Sequence, residues 1–342
     1  MAAKNQPHWW SRISAVARRF VPAAQNGQGL LGIAILVIVL LTVGYIGWSK
    51  WGETIGKQPQ YVLTPESFEI TPQPAWIQSD VKAEVVRDGR LAELSALDPE
   101  LVSHVVQAFE LNTWVAKVVW AGKRAGSDGP RVIVKVRYRR PIIWVRTYDD
   151  RWPQGDCFYP VDTEGVFLPP DEFSASQIRD FLRVDAGDTP PIGAVGAPYG
   201  DPGVSGAAAI AAKIGSDWKS LGLQWIVVRK TTPLEVSQSM DITYNLLPVG
   251  GDPDDVPKRA KPTRGGSPAV NPDSPEVFWG HAPGQEEAGE ATAAQKVARL
   301  RMYVDQNGPL DRLATSTVVD LRHNAAISVQ QRRPKYQPAS TR

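Results

Sequence analysis

A continuous apolar run from Leu30 to Trp48 constrains this chain more than any other feature. No charged residue occurs from Phe20 to Ser49. A helix needs about 20 such residues to cross the hydrocarbon core of a bilayer, because each residue rises about 1.5 Å. The run therefore predicts a single transmembrane helix at residues 30–49. A cleaved signal peptide and a buried core helix are the alternatives, but a bulky sequence with two tryptophans follows the run where a signal peptide has small residues.

The charges on either side of the run predict its orientation. Residues 1–29 contain four basic residues and no acidic one, whereas the linker at 50–66 mixes both signs. Cytoplasmic segments carry an excess of Lys and Arg, so residues 1–29 are predicted to be a cytoplasmic N-terminal segment. That segment is either an amphipathic piece resting on anionic lipid or an unstructured leader that sets topology. The basic residues are Lys4, Arg12, Arg18 and Arg19.

Length and composition limit the possible functions. The 342 residues accommodate one anchor and two domains of the usual size of roughly 100–150 residues. The net charge of +2 gives no overall electrostatic argument for nucleic acid. The single cysteine, Cys157, excludes an internal disulfide framework and a multi-cysteine zinc site. The four histidines show no metal-ligand spacing, so neither a metal nor a cofactor is predicted.

Residues 67–147 are predicted to form a small α/β domain. Asp80 is expected to cap a first helix, and Asp98, followed by Pro99, is expected to cap a second. Valines that alternate with charged residues then indicate strands, with a hairpin loop over 122–130. The predicted elements are helices at Val81–Val86 and Glu100–Glu110 and strands at Trp114–Trp120, Arg131–Arg137 and Ile142–Thr147.

Residues 148–331 are predicted to form a mixed, β-rich second domain, which makes the chain α+β overall. It opens with a strand–turn–strand unit over Tyr159–Phe167, in which Asp162 and Gly165 serve the turn geometry. Helices are predicted at Gly206–Leu221 and Gln295–Gln306. The remaining strands are predicted at Trp225–Val228, Met240–Leu246, Val277–Gly280, Thr317–Arg322 and Ala326–Gln330.

Two segments are predicted to be disordered. Residues 248–276 are rich in Pro, Gly and charge and cannot bury enough apolar surface to offset the ordering entropy. Residues 332–342 form a basic tail. The basic cluster of the insertion is either a solvated loop or a contact for phosphate or peptidoglycan.

The order of these features resembles the FtsQ/DivIB cell-division family. The residues that carry the resemblance are Trp114, Val115, Arg139 and Pro141, then Asp162 and Gly165 of the turn motif, and the closing Asp320-Leu321-Arg322. Asn112-Thr113 stands where that family has His-Pro, and Tyr138 stands where it has Glu. The resemblance implies a POTRA domain followed by an FtsQ-type β domain. It also implies a non-enzymatic, single-pass protein of the bacterial cytoplasmic (inner) membrane, with its C-terminal domains periplasmic or otherwise extracytoplasmic.

The same resemblance implies where partners bind. In that family the end of the second domain recruits coiled-coil division proteins of the FtsL/FtsB type, and septal wall-synthesis proteins join the complex. An edge strand can bind such a partner by strand addition, although a closing strand can equally be plain core. The positions expected to form the interface are Val319, Asp320, Leu321, Arg322, Ile327, Ser328, Val329 and Gln330. The alternative function is a membrane-anchored POTRA protein of secretion or outer-membrane assembly.

No catalytic residue is predicted. Cys157 with His104 or His281 could supply a nucleophile and a base, but no oxyanion motif surrounds the cysteine. Three carboxylate pairs could serve a cell-wall glycosidase, but they lie in loops rich in Pro or Gly, where acids commonly support turns. These pairs are Asp149-Asp150, Asp171-Glu172 and Asp254-Asp255.

Overall fold

The computed structural model describes residues 27–56, 61–126, 129–148, 156–178, 180–187, 189–231, 240–248, 275–314, 317–323 and 327–331. Within these ranges the chain is α+β, with one three-stranded and one eight-stranded sheet. The predicted N-terminal segment is outside the described residues up to residue 26, and so are residues 249–274 of the predicted insertion and the whole predicted tail.

Helix α1 runs from Gly27 to Gly56 and contains the apolar run. The prediction of a transmembrane helix at 30–49 is wrong by the criterion of length and apolarity. Over the described part of the chain, no helix is both long and apolar enough to cross a membrane. The linker predicted at 50–66 begins inside α1.

The first domain has the element order β-α-α-β-β. Strand β1 (Phe68–Ile70) is followed by helices α2 (Val81–Asp88) and α3 (Leu101–Glu110), and then by strands β2 (Val115–Gly126) and β3 (Gly129–Tyr138). The sheet order is β1-β3-β2, with β1 parallel to β3. Both helices pack on one face, where their apolar residues join those of β3 in a single core.

The first domain confirms one predicted helix cap and corrects two details. The Asp80 carboxylate accepts the Ala83 N–H at 3.0 Å, as a cap of α2 should. Asp98 does not cap α3; it accepts the Glu100 N–H in the turn before, and Glu100 is the capping residue. Strands β2 and β3 continue through most of the predicted loop, because β pairing extends as far as Gly126 and Gly129.

The strand predicted at Ile142–Thr147 forms, as β4 (Pro141–Tyr148), but in the second sheet. Pairing with β5 (Asp156–Asp162) and with β6 (Leu182–Asp185) places it there, so the sheets separate between Tyr138 and Pro141 and not at residue 147. The order of the second sheet is β11-β10-β9-β8-β7-β6-β4-β5. Its other strands are β7 (Trp225–Thr231), β8 (Asp241–Leu247), β9 (Glu276–Gly280), β10 (Thr317–Asp320) and β11 (Ser328–Gln331).

Two helices cover one face of the second sheet, and a short helix α4 (Ala175–Ile178) lies between β5 and β6. Helix α5 (Pro202–Ile214) starts four residues before the predicted helix, because the Asp201 carboxylate accepts the N–H groups of Gly203 and Val204. It ends at Gly215, which has a φ of 66°. Helix α6 (Ala293–Asn307) begins in a capping box between Thr292 and Gln295.

On the opposite face of the second sheet, an aromatic ring contacts two cations. Trp225 of β7 points away from α5, and the guanidinium groups of Arg146 and Arg183 lie 4.8 Å and 5.0 Å from its ring centre. The Arg146 guanidinium also pairs with the Asp185 carboxylate at 2.5 Å. Apolar stems and paired charges therefore bury this face as well, which explains why β4, β6 and β7 are buried on both sides.

Candidate protein-interaction site

Strand β11 forms one edge of the eight-stranded sheet. It pairs antiparallel with β10, with Val318 opposite Gln330 and Val319 opposite Val329. No other described strand pairs with β11. An edge strand presents a row of backbone N–H and C=O groups on its outer side, which another strand can bind.

The other edge of the same sheet is blocked. Strand β5 contains Pro160, which has no N–H to donate to a further strand. Its outer side is also covered by the chain that follows the turn, since the Leu168 N–H donates to the Pro160 carbonyl and the Asp162 N–H donates to the Val166 carbonyl. Among the described residues, the free edge of this sheet is therefore β11.

The structure separates the eight predicted interface positions into two groups. Val319 and Leu321 are each 1% exposed and lie in the core, so their side chains do not reach a partner. Asp320 and Arg322 form an ion pair at 2.6 Å beside the ring of Phe278. Burial acts to raise the pKa of Asp320, but hydrogen bonds from Arg322 outweigh it and lower that pKa. The Asp-Leu-Arg motif thus fixes the end of β10.

The second group lies on β11 and just before it. Ile327 is half-buried and packs against the core, whereas Val329 is 48% exposed. Gln330 is exposed and Ser328 is half-buried. The structure therefore leaves Arg322 and β11 as the parts of the predicted interface that a partner can reach.

A network of four charged side chains, three of them largely buried, lies beside the segment that follows β10. The ring of His281 lies between two carboxylates, with Nδ1 at 2.7 Å from Glu290 Oε2 and Nε2 at 2.9 Å from Asp241 Oδ1. The fully buried Lys296 ammonium donates to Glu290 Oε1 at 2.6 Å. Glu290 also forms a β-bridge with His323, the residue after Arg322. The network thus ties α6 to β8 and to the segment that follows β10.

The network shifts two pKa values in opposite directions. Burial acts to lower the pKa of His281, but the hydrogen bonds to Glu290 and Asp241 outweigh it and raise that pKa. Burial acts to raise the pKa of Glu290, but hydrogen bonds from Lys296, His281 and two backbone N–H groups lower it to about 2. Glu290 is therefore a charged carboxylate, and both of its oxygens accept hydrogen bonds within the fold. Sequence reasoning missed it, because its six-residue spacing from Lys296 is not a helical pair spacing.

The other residues that carry the resemblance meet at the junction of the two sheets. Arg139 Nη1 donates to Asp162 Oδ2 at 2.6 Å, and Pro141 lies opposite Asp162 in the β4–β5 pair. Asp162 Oδ1 also accepts the N–H groups of Glu164 and Val166, while Gly165 adopts a φ of 79° in the turn. The tight turn expected here is confirmed. These residues hydrogen-bond and pair with one another where the two sheets meet.

Trp114 and Val115 lie on the other side of this junction, where both are buried in the core of the first domain. The Trp114 indole Nε1 donates to Glu172 Oε1 at 2.8 Å. Glu172 also accepts the backbone N–H groups of Gln78 and Ser79 and the Ser79 hydroxyl. Burial acts to raise the pKa of Glu172, but these hydrogen bonds outweigh it and lower that pKa. Glu172 therefore links the second domain to the first through hydrogen bonds.

The catalytic candidates are not brought together by the described structure. Cys157 lies in β5 opposite Thr147, His104 is exposed on α3, and both ring nitrogens of His281 are bound to carboxylates. Asp149-Asp150 and Asp254-Asp255 lie outside the described residues. Within the described ranges no group of three or more His, Cys, Asp or Glu side chains is arranged to hold a metal ion.

Comparison with protein families, with curated proteins and with solved structures returns no match to this chain.

Proposed function

We propose that this chain is a non-enzymatic scaffold of the bacterial cell-division machinery, which binds a partner by strand addition to β11. The observation that carries the proposal is the contrast between the two edges of the eight-stranded sheet. One edge is blocked by Pro160 and by the chain over Val166–Leu168. The other edge, β11, has exposed side chains and no second strand partner among the described residues.

Strand addition suits the chemistry of this edge. A partner strand completes the backbone hydrogen bonds of the edge, which provides affinity, while alternate side chains set specificity. The strands behind β11 are rigidly placed, because Val319 and Leu321 are in the core and the Asp320–Arg322 pair fixes the end of β10. An ordered template of this kind lowers the entropy that a partner loses on binding.

The resemblance supplies the proposed partners and location. Partners of the FtsL/FtsB type, together with septal wall-synthesis proteins, fit a scaffold that binds extended segments. The two domains are proposed to act on the periplasmic side of the inner membrane. The β-α-α-β-β order of the first domain and the gathering of Arg139, Pro141, Asp162 and Gly165 at one junction support a domain arrangement of the FtsQ type.

The direct test places proline at Val329 and, separately, at Gln330. Adjacent N–H groups of an antiparallel strand point to opposite sides, so one of these two groups faces the free edge. The proline that removes the outward N–H is expected to lower capture of a co-expressed FtsL/FtsB-type partner at least tenfold, with an unchanged unfolding midpoint. Val329→Thr, which keeps the N–H, is the matched control. If both proline variants capture the partner normally, β11 is not the binding edge.

A second measurement tests the cellular role. A fluorescently tagged chain is expected to form a band at mid-cell in dividing bacteria. A uniform rim would contradict the role in division and would favour the alternative function in secretion or outer-membrane assembly. Fractionation of the same cells tests the proposed membrane location, which recovery of the chain in the cytosolic fraction would refute.

A further inference from the structure

The first domain has an open sheet face whose charge is segregated. Strands β2 and β3 contain six basic residues and no acidic one. Residues 61–114, which include both helices, contain nine acidic and three basic residues. Helices α2 and α3 pack on the inner face of the sheet, so the cations of β2 and β3 that point outward lie on the other side of the domain.

The strand register shows which cations share the outer face. Val132, Val134 and Val136 of β3 point into the core, so the alternate residues Arg131, Lys135 and Arg137 point outward. Opposite them on β2 lie Arg124, Trp120 and Lys117, in that order. All six side chains are exposed. We call these six residues the basic face. The sixth basic residue of the strands, Lys123, turns the other way and donates to the carbonyls of Ala96 and Asp98.

Apolar groups lie among these cations. The Trp120 indole lies along the strand over Gly122, where an added Cβ would meet the ring at 2.6 Å, and the Lys135 ammonium lies 6.0 Å from the ring centre. Trp120 remains 49% exposed, and Val119 at the neighbouring bulge is 65% exposed. Tryptophan beside Lys and Arg is the composition of a surface that sits at the level of lipid headgroups.

The shape of the face also fits a lipid surface. Lys117 and Arg124 are seven residues apart on one strand, which separates them by roughly 23 Å at the usual rise of a strand. Charges spread over such a length on a sheet match a planar array of phosphates better than a single small anion.

We propose that the basic face binds an anionic lipid surface, with Trp120 and Val119 entering the headgroup layer. Each Lys or Arg close to such a surface contributes about 1 kcal/mol, so five cations make a contact that is strong and sensitive to salt. Arg137 is partly neutralised by Glu164 at 2.9 Å, Arg131 has an interaction partner of its own, and Glu69 of β1 adds one negative charge beside Ile133, so the net attraction is below the sum over five cations. The inference does not depend on the proposed function.

The test uses the full chain with Cys157→Ser and Val119→Cys, which carries a polarity-sensitive fluorophore at position 119. Vesicles of phosphatidylcholine alone are compared with vesicles of phosphatidylcholine and phosphatidylglycerol at about 3:1. A label at position 119 reports contact of this face, and the vesicles of phosphatidylcholine alone control for binding through α1. The expected result is a blue shift with the anionic vesicles only, which about 0.5 M salt abolishes.

Two variants with the same change in charge separate this face from general electrostatics. Lys117→Gln with Arg124→Gln and Lys135→Gln is expected to weaken the apparent affinity about 100-fold, at roughly fivefold per cation. Lys82→Gln with Arg87→Gln and Arg90→Gln, on the helix side, is expected to change it less than twofold. All substitutions on the basic face are at exposed positions, so the variant and the parent chain are expected to have equal unfolding midpoints. The salt titration of the parent chain tests the electrostatic contact without any variant.

Three outcomes would overturn the proposal: an equal shift with both kinds of vesicle, no shift with either, or full affinity in the basic-face variant. Poly-glutamate is included as an acidic polymer. If it shifts the label while anionic vesicles do not, the basic face recognises an acidic protein segment and the lipid proposal is wrong.

Discussion

The junction between the two domains provides the sharpest test of the structural reasoning, through removal of the Asp162 carboxylate. Asp162 is 2% exposed and its carboxylate binds three donors: Arg139 Nη1 at 2.6 Å and the N–H groups of Glu164 and Val166 at 2.8 Å and 2.9 Å. In Asp162→Ala all three donors lose their acceptor. Arg139, whose side chain is only 13% exposed, keeps Glu164 at 3.2 Å as a weaker partner.

The expected magnitude follows from these contacts. Breaking a buried ion pair by removing one partner costs about 3–5 kcal/mol, because the other charge stays buried. The remaining contact with Glu164 places Asp162→Ala near the lower end, at about 3 kcal/mol. Asp162→Asn keeps an oxygen for the two N–H groups, but its amide NH2 replaces the oxygen that accepts from Arg139 and sets a donor against a donor, so it is expected to cost about 2 kcal/mol.

The matched control is Glu164→Gln. Glu164 contacts Arg139 and the exposed Arg137, but its own side chain is 49% exposed, so solvent screens both pairs and the expected cost is below about 1 kcal/mol. Urea unfolding followed by far-UV circular dichroism and by tryptophan fluorescence measures all three variants. If Asp162→Ala costs no more than Glu164→Gln, the turn motif does not hold the domains together and the reasoning fails.

Three further predictions concern the network beside β11. Gly280→Ala is expected to lower the free energy of unfolding, measured in urea, by more than about 2 kcal/mol. Gly280 has a φ of 90°, and an added Cβ would overlap Glu290 Oε1. An unchanged free energy of unfolding would refute this close approach. The folded-state pKa of His281 is raised, so its ion pairs with Glu290 and Asp241 stabilise the chain fully below pH of about 6.5 and are lost as pH rises through the folded-state value. His281→Gln is expected to remove that slope from unfolding free energies measured between pH 5 and 9, and an unchanged slope would assign it to other groups. The pKa of Glu290 is lowered to about 2, so its contribution to stability is present above pH of about 4.5 and is lost as pH falls towards 2. In Glu290→Gln the free energy of unfolding is expected to depend less steeply on pH in that window. An acid transition identical to that of the parent chain would contradict the assignment.

The elements of both domains were largely predictable from local patterns. The valines of β3 alternate with charged residues, and Asp80 is a cap that bonds only three residues ahead, so the sequence contains their physical cause. Helix ends were less predictable. The start of α5 depends on Asp201 and Pro202, which precede its apolar stripe, and its end depends on the backbone conformation of Gly215.

The candidate site was predictable in position but not in the roles of its residues. The Asp-Leu-Arg motif marks the end of β10, yet whether Leu321 is an interface residue or core depends on the packing of α5 and α6 against the sheet. Trp114, Arg139 and Asp162 were recognisable as a set. Only the folded chain shows that they bind one another or Glu172, which lies 58 residues from Trp114.

The sequence by itself determined the periodicity of the strands, the helix cap at Asp80, the turn at Asp162–Gly165 and the excess of cations in β2 and β3. These depend on interactions within a few residues, so they can be recognised without a fold. The tertiary structure decided that β4 joins the second sheet, that Pro160 and Leu168 close one edge while β11 lies at the other, and that the cations of two strands share one face. Those outcomes depend on strand register between segments distant in the chain, and register is set by burial of one face of the whole sheet.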